Sequence, residues 1–297
     1  MNRVDAVAGP APAAAVTRRH TGVARAFGRR SPLGAVGAFV MLVVIVAGLG
    51  APIVATHDPT RTDAAQTFQP PGPHHWLGTD HLGRDIYSRL VHGARVSLAV
   101  GVACALLGGV GGGAVGLVSG LAGRRVDAII QPVLDIMQGF PLLVLALVMT
   151  AALGPSIGTV VIAISVPFVP RVARVVRAVT LGVRETTYVE AARALGAGGL
   201  RVALRHVFPN TVAPLVVMTT AQLGNAILVE ASLSFLGLGI PEPYPSWGRM
   251  LSVSAAEFAQ RAPWVVIFPG LAISLVVFAS NLFGDGLRDY LDPRLRI

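Results

Sequence analysis

The sequence predicts an all-α membrane protein with six transmembrane helices, and three observations predict it. Only 13% of the 297 residues are charged while 53% are hydrophobic, and the mean hydropathy is +0.66. A soluble domain carries about a quarter charged residues. The missing charge is withdrawn from whole stretches, as a bilayer requires. Finally, all 24 basic residues are arginine, and eighteen of them fall in alternate segments between the apolar runs.

Residues 1–30 are small and polar, with Arg18, Arg19, Arg25, Arg29 and Arg30 and little periodicity. They read as a disordered, basic cytoplasmic N-terminus. The apolar run that follows is too long for the core of a signal peptide. Ser31 to Thr56 holds 26 residues without a charge, enough to cross a hydrocarbon core of about 30 Å. This is the first span, and with the loop after it forms a unit at 31–92. The loop, His57 to Arg95, is polar and rich in Pro and Gly. Val96 to Gly123 is the second span, closed by Arg124 and Arg125. Ile136 to Pro170 runs for 35 residues without a charge, too long for one crossing. Gly154-Pro155 divides it into spans three and four. Thr211 to Val229 gives span five and Pro263 to Gly284 span six. Residues 93–285 thus form the transmembrane core, and 286–297 a C-terminal tail.

Arginine orients the bundle. With the N-terminus inside, the cytoplasmic segments hold eighteen arginines and the outer loops six. Both termini are then cytoplasmic, and so is the segment between spans four and five. A net charge of +9 is therefore explained by membrane sidedness and implies no nucleic-acid partner. The single cysteine, Cys104, excludes an internal disulfide and reads as a packing residue. His74, His75 and His81 lie close in sequence, but no Cys or Glu spacing completes a metal site.

Two stretches inside the core carry distinctive patterns. Gly108, Gly112, Gly116 and Gly120 recur every four residues of span two and form one stripe, which lets two helix backbones approach closely. The partner is a helix of the same chain or of a second subunit. The cytoplasmic segment reads ETTYVEAARALGAGGLRVALRHVFP over residues 185–209. It predicts a helix after Thr186-Thr187, a sharp turn at Gly196 where positive φ is free of steric cost, and a short amphipathic helix. That helix has Leu200, Ala203, Leu204 and Val207 on one face and Arg201 and Arg205 towards another. Pro209 then enters the first turn of span five. A loop of about 40 residues, Arg171 to Asn210, is far longer than a simple connection, so a docking role is expected of it.

Glu190-Ala191-Ala192, Gly196 and Pro209 together resemble the EAA loop of ABC-type import permeases. The place of the usual isoleucine is taken by His206, and His206-Val207-Phe208-Pro209-Asn210 is similar to the dipeptide, oligopeptide and nickel branch of that family. Three further stretches look like the same branch. They are Trp76 to Asp85 (WLGTDHLGRD), Glu230 to Gly239 (EASLSFLGLG) with Pro245-Ser246-Trp247-Gly248, and Asn281 to Asp289 (NLFGDGLRD) with Leu291-Asp292-Pro293-Arg294. The resemblance spans roughly residues 74–296 and is to the C-type permease subunit of peptide importers.

That resemblance implies a type I ABC importer permease fold in the bacterial cytoplasmic membrane. It implies a heterodimer with a homologous B-type permease, two ABC ATPase subunits docked at the hairpin, and an extracytoplasmic binding protein that delivers a peptide. ATP and Mg would belong to the ATPases, with no cofactor on this chain. Glu190, Ala191, Ala192, Gly196 and Pro209 would couple to the ATPase. The segment after span five, with Glu230, Ser234, Phe235, Gly237, Gly239 and Trp247, is expected to be re-entrant and to shape an outer gate. Nickel chelates and glutathione are alternative cargoes of the same family. A chain without lysine has no Walker A motif and cannot hydrolyse ATP by that route. Neither midplane carboxylates of a secondary transporter nor the motifs of a membrane-embedded hydrolase are present.

Overall fold

Helix in this chain follows the apolar runs but overruns them at most ends. The computed structural model describes residues 23–291. The disorder expected of residues 1–22 and the tail 292–297 lie outside the described residues. The elements are α1 (Val23–Arg30), α2 (Pro32–Leu49), α3 (Ala51–Val54), α4 (Ile86–Leu121), α5 (Arg124–Gly139), α6 (Leu142–Leu153), α7 (Ile157–Arg184), α8 (Thr187–Ala194), α9 (Gly199–Val202), α10 (Phe208–Phe235), α11 (Trp247–Glu257) and α12 (Trp264–Leu291). A 3₁₀ turn covers Ala64–Gln66 and a π turn Ala203–Val207. Among the described residues there is no strand, only an isolated bridge between Thr79 and Asp85.

Five helices, α2, α4, α7, the α9–α10 stretch and α12, are long and apolar enough to cross a membrane. The protein is an all-α, multi-pass membrane protein. α5 and α6 pass the same test only together, and they are bent by 92°.

α10 and α12 run on past the expected ends at Val229 and Gly284, to Phe235 and to Leu291 inside the expected C-terminal tail, and four further boundaries differ from the sequence reading. Val23–Arg30, expected to be disordered, is helical and packs its Phe27 edge-on to Phe283 and Tyr290 of α12. The second span begins at Ile86, not Val96: Asp85 and Arg89 are partnered, and Arg95 is exposed. Asp85 caps the helix by accepting from Ser88 N at 2.8 Å, and the buried Arg89 donates to Pro59 O at 3.0 Å. The stretch expected as span three is divided: Ile136 to Gly139 belong to the amphipathic α5, and α6, of twelve residues, is too short to cross by itself. Span four does not stop at Pro170. α7 continues through Pro167 and Pro170 to Arg184, where Arg177 grips Asp127 of α5 with two bonds of 2.6 Å. The 40-residue loop therefore gives its first third to α7.

The most extensive helix pairing is α4 with α7. The glycine stripe makes it possible. A Cβ at Gly108 would lie 2.7 Å from Phe168 Cβ, one at Gly112 2.6 Å from Val172 Cβ, one at Gly116 2.4 Å from Ala173 O, and one at Gly120 2.4 Å from Thr180 Cγ2. All four glycines thus face a helix of the same chain. α2 crosses α12 in the same manner, with a Cβ at Gly34 only 2.6 Å from Gly286 Cα. α10 lies between α4 and α12, and its Ile227 and Ala231 join Leu98, Trp247 and Val276 in one core. Cys104, Ile164, Phe168 and Leu233 build a second core between α4, α7 and α10.

Candidate functional site

The α8–α9 hairpin is held by few but well-placed contacts. α8 ends in a left-handed turn at Gly196, φ +85°. Gly196 N donates to Arg193 O at 2.9 Å and Ala197 N to Ala192 O at 3.0 Å. This pair of bonds is a Schellman motif, which satisfies carbonyls that the helix end leaves open. Beyond it, α9 runs for one turn and passes through the π turn into α10. Pro209, in the first turn of α10, has no N–H for Arg205 O and its ring crowds that carbonyl. The wider π turn accommodates both effects.

Val189, Val202 and Val207 are buried against Leu117 and Leu121 of α4 and Val183 of α7. Arg184 Nη1 donates to Gly120 O at 3.0 Å. The hairpin is thus fixed to the ends of α4 and α7. It is fixed to α10 by Tyr188 and Asn210, since Asn210 Nδ2 lies 3.1 Å from Tyr188 Oη and 2.7 Å from His206 O. Tyr188 was not singled out in the sequence, and Asn210 entered only as the last residue of the loop and of the His206–Asn210 motif. The signal available was the i, i+4 spacing of His206 and Asn210.

What the hairpin leaves outside is apolar. Leu195 is 89% exposed, Leu200 75% and Leu204 57%. The sequence grouped Leu200 and Leu204 with Ala203 and Val207 on one face. The structure separates them, because one α turn followed by a π turn does not keep a 3.6-residue period. Glu190, Ala191, Gly196 and Pro209 are exposed and Ala192 is half-buried. A Cβ at Gly196 would touch nothing.

The residues marked for an outer gate divide into two groups. Glu230, in α10, is fully buried and accepts from Ser234 Oγ at 2.7 Å and from Ser97 Oγ of α4 at 3.4 Å. Trp247 N donates to Ser97 Oγ at 3.3 Å, and its ring Nε1 donates to Leu90 O at 2.9 Å. A Cβ at Gly239 would come within 1.9 Å of Ser234 Oγ. Glu230, Ser234, Gly239 and Trp247 therefore converge with Ser97 and Ser246 in one buried polar knot near the end of α10. Phe235 and Gly237 stay apart from it. Phe235 is exposed, and a Cβ at Gly237 would meet nothing.

The opposite end of α4 from the hairpin carries a second buried polar set. Asp80 accepts from Arg84 Nε at 2.7 Å and from two backbone amides, and lies 3.7 Å from Arg89 Nε. Arg84 also reaches Glu242 at 3.3 Å. Burial, opposed by Asp80 and reinforced by Arg84 and Arg89, holds the His81 imidazole below its usual pKa. Asp80, Arg84, Arg89 and Glu242 thus pair with one another.

A family model described as "Binding-protein-dependent transport system inner membrane component" matches residues 112–297. The chain is 43% identical over 273 residues to the di/tripeptide transport system permease protein DppC of Pseudomonas aeruginosa, covering 89% of each chain. It is 41% identical over 268 residues to the dipeptide transport system permease protein DppC of Alkalihalophilus pseudofirmus, covering 90% of this chain and 88% of that one. It is 40% identical over 272 residues to the glutathione transport system permease protein GsiD of Pectobacterium atrosepticum, covering 92% and 90%. The chain belongs to the binding-protein-dependent transport family of inner membrane components.

Proposed function

We propose that this member of the family is the permease subunit of an ATP-driven importer that carries di- or oligopeptides across the bacterial cytoplasmic membrane. Both termini and the α8–α9 hairpin lie on the cytoplasmic side in this reading. The observation that carries it is the hairpin's division of labour. Three valines fix it to α4 and α7, while Leu195, Leu200 and Leu204 stand in the open. Clustered exposed apolar side chains mark a surface that another protein covers. The partner here is an ABC ATPase, one of two that hold ATP and Mg. Glu190 and the arginines 193, 201 and 205 supply charge around the leucines. The chain pairs with a homologous B-type permease, and a binding protein delivers substrate at the far face.

The contacts support a route for the coupling. Closure of the ATPases on ATP displaces α8. Val189 passes the displacement to α4 and α7, and Tyr188 passes it through Asn210 to the base of α10. Those three helices carry the two cores, so they move together as a two-state element that a ligand biases. Glu230, Ser234, Gly239 and Trp247 tie the α10–α11 segment to α4, and so connect the outer gate to the same unit.

Peptide cargo is supported by the relatives named for dipeptides and tripeptides, with glutathione as the alternative from the same comparison and nickel chelates as a further one. The test is uptake by proteoliposomes holding this chain, its partner permease and both ATPases, with the binding protein outside. Labelled dipeptide should enter only with ATP on the hairpin side. Uptake driven by an ion gradient without ATPases would overturn the reading, and uptake of glutathione but no dipeptide would move the cargo to the alternative.

A further inference from the structure

The loop between α3 and α4 brings together three side chains from separate stretches of chain. His57 follows α3, His75 lies in mid-loop, and Asp85 caps α4. Each presents one ligand atom within 4.8 Å of the other two. Spacing along the chain did not reveal this set, because it pairs His75 with residues far from it and leaves out its neighbours His74 and His81.

Hydrogen-bond bookkeeping at His75 shows what the set lacks. Asp63 Oδ2 only accepts, and it takes Gln66 Nε2 at 2.9 Å. This turns Gln66 Oε1 towards His75, 2.6 Å from Nε2. An amide oxygen also only accepts, so Nε2 of His75 carries a proton. The other ring nitrogen, Nδ1, stands 2.9 Å from Asp85 Oδ1. In a neutral ring protonated at Nε2, a nitrogen lone pair then faces a carboxylate lone pair. His75 is 7% exposed and Asp85 2%, so water does not dilute that repulsion. A cation between Nδ1 and Oδ1 would be held by both lone pairs.

The surroundings fit a cation. Asp85 Oδ2 is already used, accepting from Ser88 N at 2.8 Å and from Thr56 Oγ1 at 3.4 Å. Oδ1 is left for the histidines. His57 Nδ1 is 3.8 Å from the same Oδ1 and 3.0 Å from Thr56 Oγ1, and the two imidazole rings are 4.7 Å apart at their centroids. We propose that His57, His75 and Asp85 form a binding site for a divalent transition-metal ion of the zinc class. Imidazole nitrogen and carboxylate oxygen are the donors such ions take, at about 2.0–2.2 Å. An ion at this point would part His75 Nδ1 and Asp85 Oδ1 slightly from their 2.9 Å and draw in the exposed His57, which is 3.8 Å from the same Oδ1. Gln66 holds the ring of His75 in the right tautomer, the usual role of a group behind a ligating histidine. Three protein ligands leave a fourth position for water. The ion would bind the end of α3, the loop and the first turn of α4 to one another. Its access from outside the cell rests on the orientation proposed above; the binding itself does not.

The test uses the full-length chain in detergent, stripped with EDTA and titrated calorimetrically with zinc chloride. Wild type should bind one zinc per chain and gain thermal stability from it. His57→Ala, at an exposed position that leaves the apo fold intact, should bind about ten-fold more weakly or worse and lose the thermal gain. Gln66→Ala should weaken binding by about ten-fold, while His74→Ala should match wild type. X-ray absorption of the loaded wild type should count two imidazoles on the zinc. No zinc binding, equal weakening by His57→Ala and His74→Ala, or fewer than two imidazoles would each overturn the site. None of these results bears on transport, so the importer reading stands or falls separately.

Discussion

The α3–α4 loop and the α8–α9 hairpin meet the two ends of the same helix, α4, and they are built in opposite ways. At the Ile86 end the chain spends its charges inward. Asp80, Asp85, Arg84 and Arg89 are all buried, and each is answered by an acid, a base or a backbone group. At the Leu121 end the chain keeps its charges outside and turns leucines outward with them. A buried ionic set is intolerant of losing any member, because the remaining partner is left in a medium that does not solvate it. An apolar surface with small residues beneath it tolerates change in the isolated chain and fails only when a partner is needed. The first end is therefore a fixed structure, and the second has the character of the contact surface proposed for it.

Removing one charge from the fixed end is the strongest way to break this comparison. Asp80→Ala takes the carboxylate from Arg84 and Arg89 at once and strips two amides of their acceptor. Loss of one partner of a buried pair costs about 3–5 kcal/mol. The variant should fail to accumulate in the membrane, or should unfold at far lower denaturant than wild type. A variant as stable as wild type would show that the loop's charges are solvated and that the two ends do not differ in kind.

Bulk in the shared helix comes next. Gly112→Leu drives a side chain into Val172, where even a Cβ sits at 2.6 Å, and overpacking of this kind costs about 1–3 kcal/mol. Thermal unfolding in detergent should fall, and the same substitution at Gly111, where a Cβ would meet only Val169 Cγ2 at 3.3 Å, should fall less. Equal losses would mean that α4 and α7 slide to absorb the change, and that the stripe does not set their distance.

How much of this was legible in the sequence differs between the two ends. The hairpin's turn and its exit were readable because their signals are local: Gly196 turns the chain and Pro209 stands in the first turn of α10. Its apolar face was not, because the π turn breaks the period that would place Leu200 and Leu204 with Val207. The start of α4 was not readable, because a charge-free rule excludes Arg89, whose partner Pro59 O lies thirty residues away. The bend between α5 and α6 was hidden by an apolar run that crosses it. Pro170 looked like an end and is the middle of α7, whose later arginines find acids on α5. The polar knot around Glu230 was seen as a motif, but Ser97 comes from α4 and only packing brings it there. Patterns of period and turn are written in neighbours; burial of charge is written in contacts.

The smallest effect on the isolated chain is expected at the hairpin, and it is the sharpest test of what that end is for. Gly196→Val places a β-branched side chain at φ +85°, which costs roughly 1–2 kcal/mol in a left-handed position but meets no neighbour. Glu190→Lys changes an exposed side chain, where substitutions stay within about 0.5 kcal/mol. Both variants should insert, fold and pair with the second permease. Breaking a charge pair at an interface costs about 2–5 kcal/mol, so Glu190→Lys should lose ATPase recruitment in co-purification by at least ten-fold. Gly196→Val should lose it as well, since the turn aims α8. Leu195→Ser and Leu200→Ser together should do the same with no loss of thermal stability, because those side chains bury nothing within the chain. Binding of peptide to the separate binding protein should be unchanged throughout. If Glu190→Lys and the double leucine variant hold their ATPases and transport at wild-type rates, the exposed leucines serve no partner at this end, and the contrast between a fixed end and a contact end is lost.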